Sequence, residues 1–445
     1  MKGNKRILAF AAAFAAGLLL MTACSKIVPR SGPTEYAVVI YGTAGGQMDD
    51  TMEVIWEELR TVLPDKGVRV FCRYKYGDGG DQFTGQWGNP GEVVTFELDK
   101  DTRFQDLRGS GVQDQGFELF QPENLAQVLS WAWREALPTK GCVLVFFGHG
   151  GGFDASADFP KELYGTVAPA TRGVVYDEWF QGRVGMNMYE VARAVELSHV
   201  GRLQGILFHN CLMGGIESLT EVAPYADYLI ATPFLLTSEN EPLIPYLVKS
   251  LPGNTFEAAA RQALRDSKER LTDGYRHEDP AELPANVELL KSSELTEVCR
   301  VTKKLAERLC QLYPTEREAI DRATCKVYRF YNLDPYFDLL DYARILADET
   351  GDGQLRTIAA ELEQAFGLST MEQITIDFDT HPELSSYSLS VVLVDKETYE
   401  KTPTRGTFSY RQAYEYSTFH KLTGWGNWLY TNLQPPTGNP CGQEL

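Results

Sequence analysis

Two short segments hold the residues best suited to chemistry. One is Gly148-His149-Gly150-Gly151-Gly152, an imidazole set among glycines. The other is His209-Asn210-Cys211-Leu212-Met213-Gly214-Gly215, a thiol close to a second imidazole. A thiol hydrolase needs this pairing, because the thiolate is the nucleophile and imidazole takes its proton and later protonates the leaving group. Glycines beside the imidazole let a substrate backbone approach closely, and their N–H groups can stabilise a tetrahedral oxyanion. Each feature alone also has an ordinary structural reading. Free cysteine is among the most buried residue types, and a glycine run after a strand is often only a tight turn. Where the fold places the two segments decides between these readings.

Both segments follow apolar strands. Cys142–Phe147 and Ile206–Phe208 are near-continuous apolar runs, and Tyr228–Ala231 is a third. Tyr36–Gly42, Val68–Tyr74 and Val93–Leu98 also read as strands, the last with the polar alternation of a sheet edge or hairpin. Between them, Met52, Ile55, Trp56, Leu59, Val62 and Leu63 recur at helical spacing up to Pro64. A second helix opens at Pro122 with Leu125, Val128, Leu129 and Ala132 on one face, and ends near Pro138. Apolar strands alternating with amphipathic helices predict a mainly parallel sheet covered on both faces. Ligands of such sheets bind beyond the carboxyl ends of the strands, where His149 and Cys211 fall. A helix predicted over Met213–Val222 would aim the positive end of its dipole at the thiol. From about Pro252 the pattern turns helical, at Thr255–Leu271, Ser293–Leu312 and Tyr336–Leu346, with strands returning at Gln373–Phe378 and Tyr387–Val394. Residues 36–251 therefore read as the core, and 252–445 as an α-rich C-terminal portion contributing some strands.

Composition narrows the class. The 445 residues are 43% hydrophobic and 23% charged, which excludes a disordered or collagen-like chain. A net charge of −19 disfavours nucleic acid as a partner, since the long-range field repels phosphate. Eight cysteines are too sparse for a disulfide scaffold. At the N-terminus Lys2, Lys5 and Arg6 precede an apolar stretch from Ile7 to Met21, and Met21-Thr22-Ala23 leads directly into Cys24. Residues 1–23 read as a secretory signal. Their ending looks like a bacterial lipobox, with Cys24 as the lipidated first residue and Met21 where leucine is usual. A plain signal peptide or an uncleaved anchor remains open, although the stretch is short against the ~20 residues of a membrane span. Residues 24–35 form a Pro/Gly/Ser tether. The expected location is the bacterial cell envelope, as an exported lipoprotein held at the membrane. Seven cysteines follow Cys24, an odd number that leaves at least one thiol free.

The segments VLVFFGHGGGF at 143–153 and GILFHNCLMGGIES at 205–218 resemble the clostripain family of cysteine peptidases. YAVVIYGTAGG, the stretch Arg172–Asp177 leading into a helix Met188–Leu197, ADYLIATP at 226–233 and TGWGNWLY at 423–430 agree, so the resemblance covers most of residues 36–430. The interval from His149 to Cys211 is somewhat longer than the roughly 50 residues of the caspase arrangement. The resemblance implies a caspase-like α/β fold: a mainly parallel sheet with helices on both faces, plus the α-rich C-terminal portion. It implies His149 as general base, Cys211 as nucleophile, the N–H groups of Gly150 and Cys211 as oxyanion donors, a peptide or protein substrate, and no organic cofactor.

One position departs from the family. An Asp usually stands two residues before the nucleophile, where it helps form a pocket for a basic side chain ahead of the scissile bond; here it is His209. On a strand i and i+2 share a face, so His209 is expected on the side of Cys211. A neutral imidazole cannot replace the charge, and losing a charge-assisted contact costs about 1.5–3 kcal/mol. Glu239 and Glu241 are candidate replacements, and otherwise solvated loop acids. In relatives a loop between the catalytic residues can be cut by the enzyme itself. Lys161 and Arg172, around the long stretch Phe153–Thr171, are candidate sites provided a basic preference survives.

Competing readings are weaker. Zinc on His149, His209 and Cys211 lacks an evident fourth ligand. Asp348–Gly353 has the flavour of a calcium loop, but Ala359 stands where the bidentate Glu belongs, so it reads as a turn between helices. Cys72, Cys142, Cys299, Cys310, Cys325 and Cys441 show no metal or redox motif, and Cys142 and Cys325 are expected to be packed. The sequence thus favours an exported, lipid-anchored cysteine endopeptidase with a Cys-His dyad. A catalytically inactive, peptidase-like binding lipoprotein is the alternative, supported by His209. A non-peptidase hydrolase of amides or esters is a third.

Overall fold

Side-chain alternation along a few long strands divides the core into two layers. The computed structural model describes residues 33–43, 49–77, 91–107, 109–113, 118–153, 174–177, 184–236, 243–275, 286–330, 335–375, 389–401 and 409–432. The strands in chain order are β1 (Thr34–Thr43), β2 (Gly67–Lys75), β3 (Glu92–Leu98), β4 (Val112–Gln113), β5 (Gly141–Phe147), β6 (Val174–Asp177) and β7 (Val184–Met186). They continue with β8 (Leu203–His209), β9 (Ala226–Ala231), β10 (Asn286–Lys291), β11 (Tyr336–Asp338), β12 (Thr370–Thr375) and β13 (Ser390–Val392). Among the described residues the main sheet has nine strands in the order β12-β10-β9-β8-β5-β1-β2-β3-β4. The middle five, β9-β8-β5-β1-β2, are parallel. Both edges are antiparallel.

Burial on both faces explains the apolar runs of the central strands. Val38, Ile40, Val143, Val145, Phe147 and Leu207 pack in one layer with Met52, Ile55, Trp56 and Leu59 of the helix Asp49–Val62. The helices Leu243–Ser250 and Phe256–Tyr275 complete that layer through Leu247, Val248, Ala260 and Leu264. Val39, Tyr41, Leu144, Phe146, Ile206 and Phe208 face the other layer. There they meet the helices Pro122–Ala136, Met188–Ser198 and Ile216–Val222, and much of the helical C-terminal portion. The C-terminal portion also lends β10 and β12 to the sheet.

Several elements differ from the sequence expectation. The helix expected from Met213 begins at Ile216, because 211–214 form a turn. Residues Tyr336–Asp338, expected as the first turn of a helix, are a strand paired with β13. The helix starts at Leu339, where the Asp338 carboxylate accepts from the Asp341 N–H as its cap. The helix expected to stop at Leu312 runs as Leu295–Lys326, passing Pro314 with a kink at Glu316. The turn expected at Asp348–Gly353 is confined to Gly351 and Asp352. Gly351 ends one helix in the left-handed region, and the Asp352 carboxylate caps the next by accepting from the Leu355 N–H. Cys325, expected only to be packed, is disulfide-bonded.

Candidate active site

β5 and β8 lie side by side and parallel, so their carboxyl ends deliver the two segments to neighbouring positions on one edge of the sheet. His149 follows β5 and is half-buried. Cys211 lies two residues past the end of β8 and is half-buried too. The backbones touch. A Cβ placed on Gly150 would lie 2.2 Å from the Cys211 carbonyl oxygen and 2.8 Å from the Asn210 Cβ. Only glycine at position 150 allows this approach.

The cysteine turn is held by two neighbouring segments. The Leu212 N–H donates to the Phe234 carbonyl (2.8 Å) and the Gly214 N–H to that of Thr232 (2.6 Å), binding the turn to the segment after β9. The Ser390 N–H donates to the Gly214 carbonyl (3.0 Å), binding it to β13. Leu212 takes φ +61°, a left-handed conformation that costs a non-glycine residue of order 1 kcal/mol and persists only where surrounding contacts over-determine it. The strained residue is the one directly after the thiol. Cys211 Sγ in turn accepts from the Leu236 N–H at 3.3 Å. The thiol can also donate to the Leu236 carbonyl at 3.9 Å, and the expected helix end is not at the sulfur, since the helix Ile216–Val222 starts five residues further on.

The histidine loop is held from two directions. The buried Asn210 donates through Nδ2 to the carbonyls of Gly148 (2.8 Å) and His149 (3.2 Å). From the C-terminal portion, the Tyr336 hydroxyl donates to the Gly151 carbonyl at 2.6 Å and lies 3.1 Å from that of Phe153. Gly152, at φ +65°, leaves room for that ring, since a Cβ would lie 2.8 Å from Tyr336 Cζ.

His209 does not fall where strand alternation put it. β8 ends at His209 and Cys211 belongs to the turn, so the i, i+2 relation does not extend to the thiol. The imidazole is buried and stacks on Phe147 at 5.5 Å between ring centroids. Burial lowers its pKa to about 4, so it is neutral at physiological pH. Glu239, Glu241, Lys161, Arg172 and Cys24 lie outside the described residues. Among the described residues, no group of three or more His, Cys, Asp and Glu is placed to hold a metal ion, so His149, His209 and Cys211 do not converge as one.

Behind the turn lies a buried carboxylate the sequence did not flag. Glu217 Oε1 accepts from the Val392 N–H (2.9 Å) and the Tyr414 hydroxyl (2.7 Å), joining the first turn of the helix after Cys211 to two C-terminal elements. Burial pushes its pKa up to about 7 against these two donors. Asn210, Tyr336, Leu236 and Glu217 were all missed. Only Asn210, adjacent to the thiol, could have been singled out from the sequence.

A mainly parallel sheet with helices on both faces, and a histidine loop and cysteine turn at adjacent strand ends, is a caspase-like α/β fold. The chain belongs to the clostripain family of cysteine peptidases, whose family model matches residues 93–421. It is similar in structure to a secreted cysteine protease from Bacteroides thetaiotaomicron, iotapain. The TM-score is 0.58 at 15% identity, over 88% of this chain and 100% of that one. The same protease in complex with an irreversible peptide inhibitor matches at a TM-score of 0.57 and 15% identity, over 88% and 99%. An inactive zymogen protease from Parabacteroides distasonis matches at 0.54 and 15% identity, also over 88% and 99%. A comparison with curated protein sequences finds no match. Among the described residues, no helix is long and apolar enough to cross a membrane.

Proposed function

We propose that the protein is an exported, lipid-anchored cysteine endopeptidase using Cys211 and His149. In this reading Cys211 Sγ attacks the scissile carbonyl, forming a carbon–sulfur bond. His149 takes the thiol proton and delivers it to the leaving amine as the peptide bond breaks. Water then hydrolyses the thioester, with His149 again as base. The N–H groups of Gly150 and Cys211 are the proposed oxyanion donors. The observation that carries the reading is the contact of the Gly150 backbone with that of Cys211, which sets the imidazole loop beside the thiol turn in a chain of this family.

Several finer points belong to the same proposal. Anchoring is assigned to a lipid on Cys24 after removal of residues 1–23, and Cys24→Ser should abolish incorporation of labelled palmitate. His209, expected in the substrate pocket, is buried and neutral and supplies no charge there, so a preference for Arg or Lys before the scissile bond rests on Glu239 or Glu241. Self-cleavage at Lys161 or Arg172 depends on that preference. The buried, neutral His209 is also the observation that favours the second reading, a binding lipoprotein with an altered pocket.

The test uses the chain from Ser25 beside Cys211→Ala, with a peptide library varied before the scissile bond and products identified by mass spectrometry. Cleavage that vanishes in the variant supports the peptidase. Cleavage after Arg or Lys points to Glu239 or Glu241 as the replacement carboxylate. Absence of cleavage by folded protein whose thiol still alkylates favours the binding lipoprotein.

A further inference from the structure

Building on the proposed Cys-His chemistry, we infer that Asn210 is a positioning residue that sets the geometry of His149 and of the Gly150 N–H. Its side chain spans the gap between the two strand ends. Nδ2 meets the Gly148 carbonyl at 2.8 Å and the His149 carbonyl at 3.2 Å, while its own backbone leads directly into Cys211. The two carbonyls belong to the peptide groups on either side of His149. The first of these peptides carries the His149 N–H, and the second carries the Gly150 N–H. In a trans peptide the N–H points opposite to the C=O, and the described residues contain no cis peptide. Turning the His149 carbonyl toward Asn210 therefore turns the Gly150 N–H away from it. One amide thus orients both the imidazole-bearing residue and a proposed oxyanion donor relative to the nucleophile.

The chemistry of the side chain supports a role as donor. Asn210 is buried, and its Oδ1 makes no hydrogen bond among the described residues. Swapping the two amide ends would set an oxygen against two carbonyl oxygens, so the donor end must face the loop. A residue kept only to fill space would not need to be a donor. Neither Asp nor Leu, both close in size, can supply two N–H bonds.

The test compares the chain from Ser25 with Asn210→Asp and Asn210→Ala, measuring kcat and KM on a cleaved peptide from pH 5 to 8. In Asn210→Asp the carboxylate faces two carbonyls at neutral pH, so kcat is expected to fall about 100-fold with KM nearly unchanged. Protonation restores one donor, so the deficit against the wild type should shrink at least about tenfold toward pH 5. Asn210→Ala should show a comparable kcat deficit that does not depend on pH. Wild-type kcat in Asn210→Asp at pH 8, or a deficit confined to KM, overturns the inference. Hydrogen exchange of the peptide covering residues 148–153 is measured on the same proteins. If the wild type cleaves no peptide, the peptidase reading fails by itself, and the exchange still decides this one: faster exchange in Asn210→Ala supports the clamp, and unchanged exchange overturns it.

Discussion

The backbone N–H of Leu236 donates to Sγ of Cys211 across 3.3 Å, so the thiol at the end of one strand is addressed by the segment leaving the next. A donor aimed at sulfur favours the thiolate, whereas burial disfavours it. Among the other free cysteines, burial pushes Cys142 up to about 12, Cys299 to about 11 and Cys72 higher still. Iodoacetamide at neutral pH should therefore label Cys211 in the folded chain and leave Cys72, Cys142 and Cys299 unmodified, as read by peptide mapping. Labelling of those three at a rate matching Cys211 would contradict this placement.

Gly150→Ala should be among the most damaging small substitutions in the chain. The added methyl would lie 2.2 Å from the Cys211 carbonyl oxygen, so the loop and the turn must separate. Misplacement of reacting groups by about 1 Å costs about 100-fold in rate. Peptide cleavage should fall by at least that factor, with stability reduced by about 1–3 kcal/mol. Near wild-type turnover in this variant would show that the contact does not matter to catalysis.

Tyr336→Phe removes the hydroxyl that holds the far side of the histidine loop and keeps the ring that packs beside Gly152. Loss of this anchoring should cost about 1–2 kcal/mol in stability and lower turnover several-fold. Urea denaturation and peptide kinetics would check both. A variant as stable and as active as the wild type would mean that the C-terminal portion does not brace the loop.

Tyr336 also shows why part of the site could not be read from the sequence. It lies 185 positions from its partner Gly151, and a lone tyrosine carries no signal of which carbonyl its hydroxyl will find. The central strands were legible because continuous apolar runs such as Cys142–Phe147 are required of strands buried on both faces. The neighbouring placement of the His149 loop and the Cys211 turn was legible because each comes within two residues of the end of such a strand. The helix start at Met213 was misjudged because Met213 is fully buried and mimics a helical apolar position, whereas the turn's hydrogen bonds to Thr232 and Phe234 keep it out of the helix. His209 was put on the wrong side because alternation was carried past the end of its strand.

The buried Glu217 makes stability depend on pH in a stated direction. Its carboxyl keeps its proton in the fold up to about pH 7, while in the unfolded chain it ionises near 4.5. The folded state thus binds more protons through that window, and stability falls as pH rises from about 4.5 to 7, by roughly 3 kcal/mol for this group. Glu217→Gln can keep both acceptor contacts of Oε1 and cannot ionise. Its Tm relative to the wild type should therefore rise between pH 5 and pH 8. A difference that stays constant with pH would show that Glu217 is ionised in the fold. His209 acts in the opposite window: lowered to about 4 by burial, it costs stability as pH falls from 6.5 toward 4.

The proposed activation of Cys211 by His149 is open to test by covalent capture. The chain from Ser25, its Cys211→Ala form and its His149→Ala form would each be treated with an irreversible peptidyl electrophile, and adduct formation followed by intact-mass and peptide mass spectrometry. A single adduct on Cys211 is expected, with none in Cys211→Ala and labelling at least about 100-fold slower in His149→Ala. An adduct on another cysteine, or capture by Cys211 at a rate indifferent to His149, would contradict it.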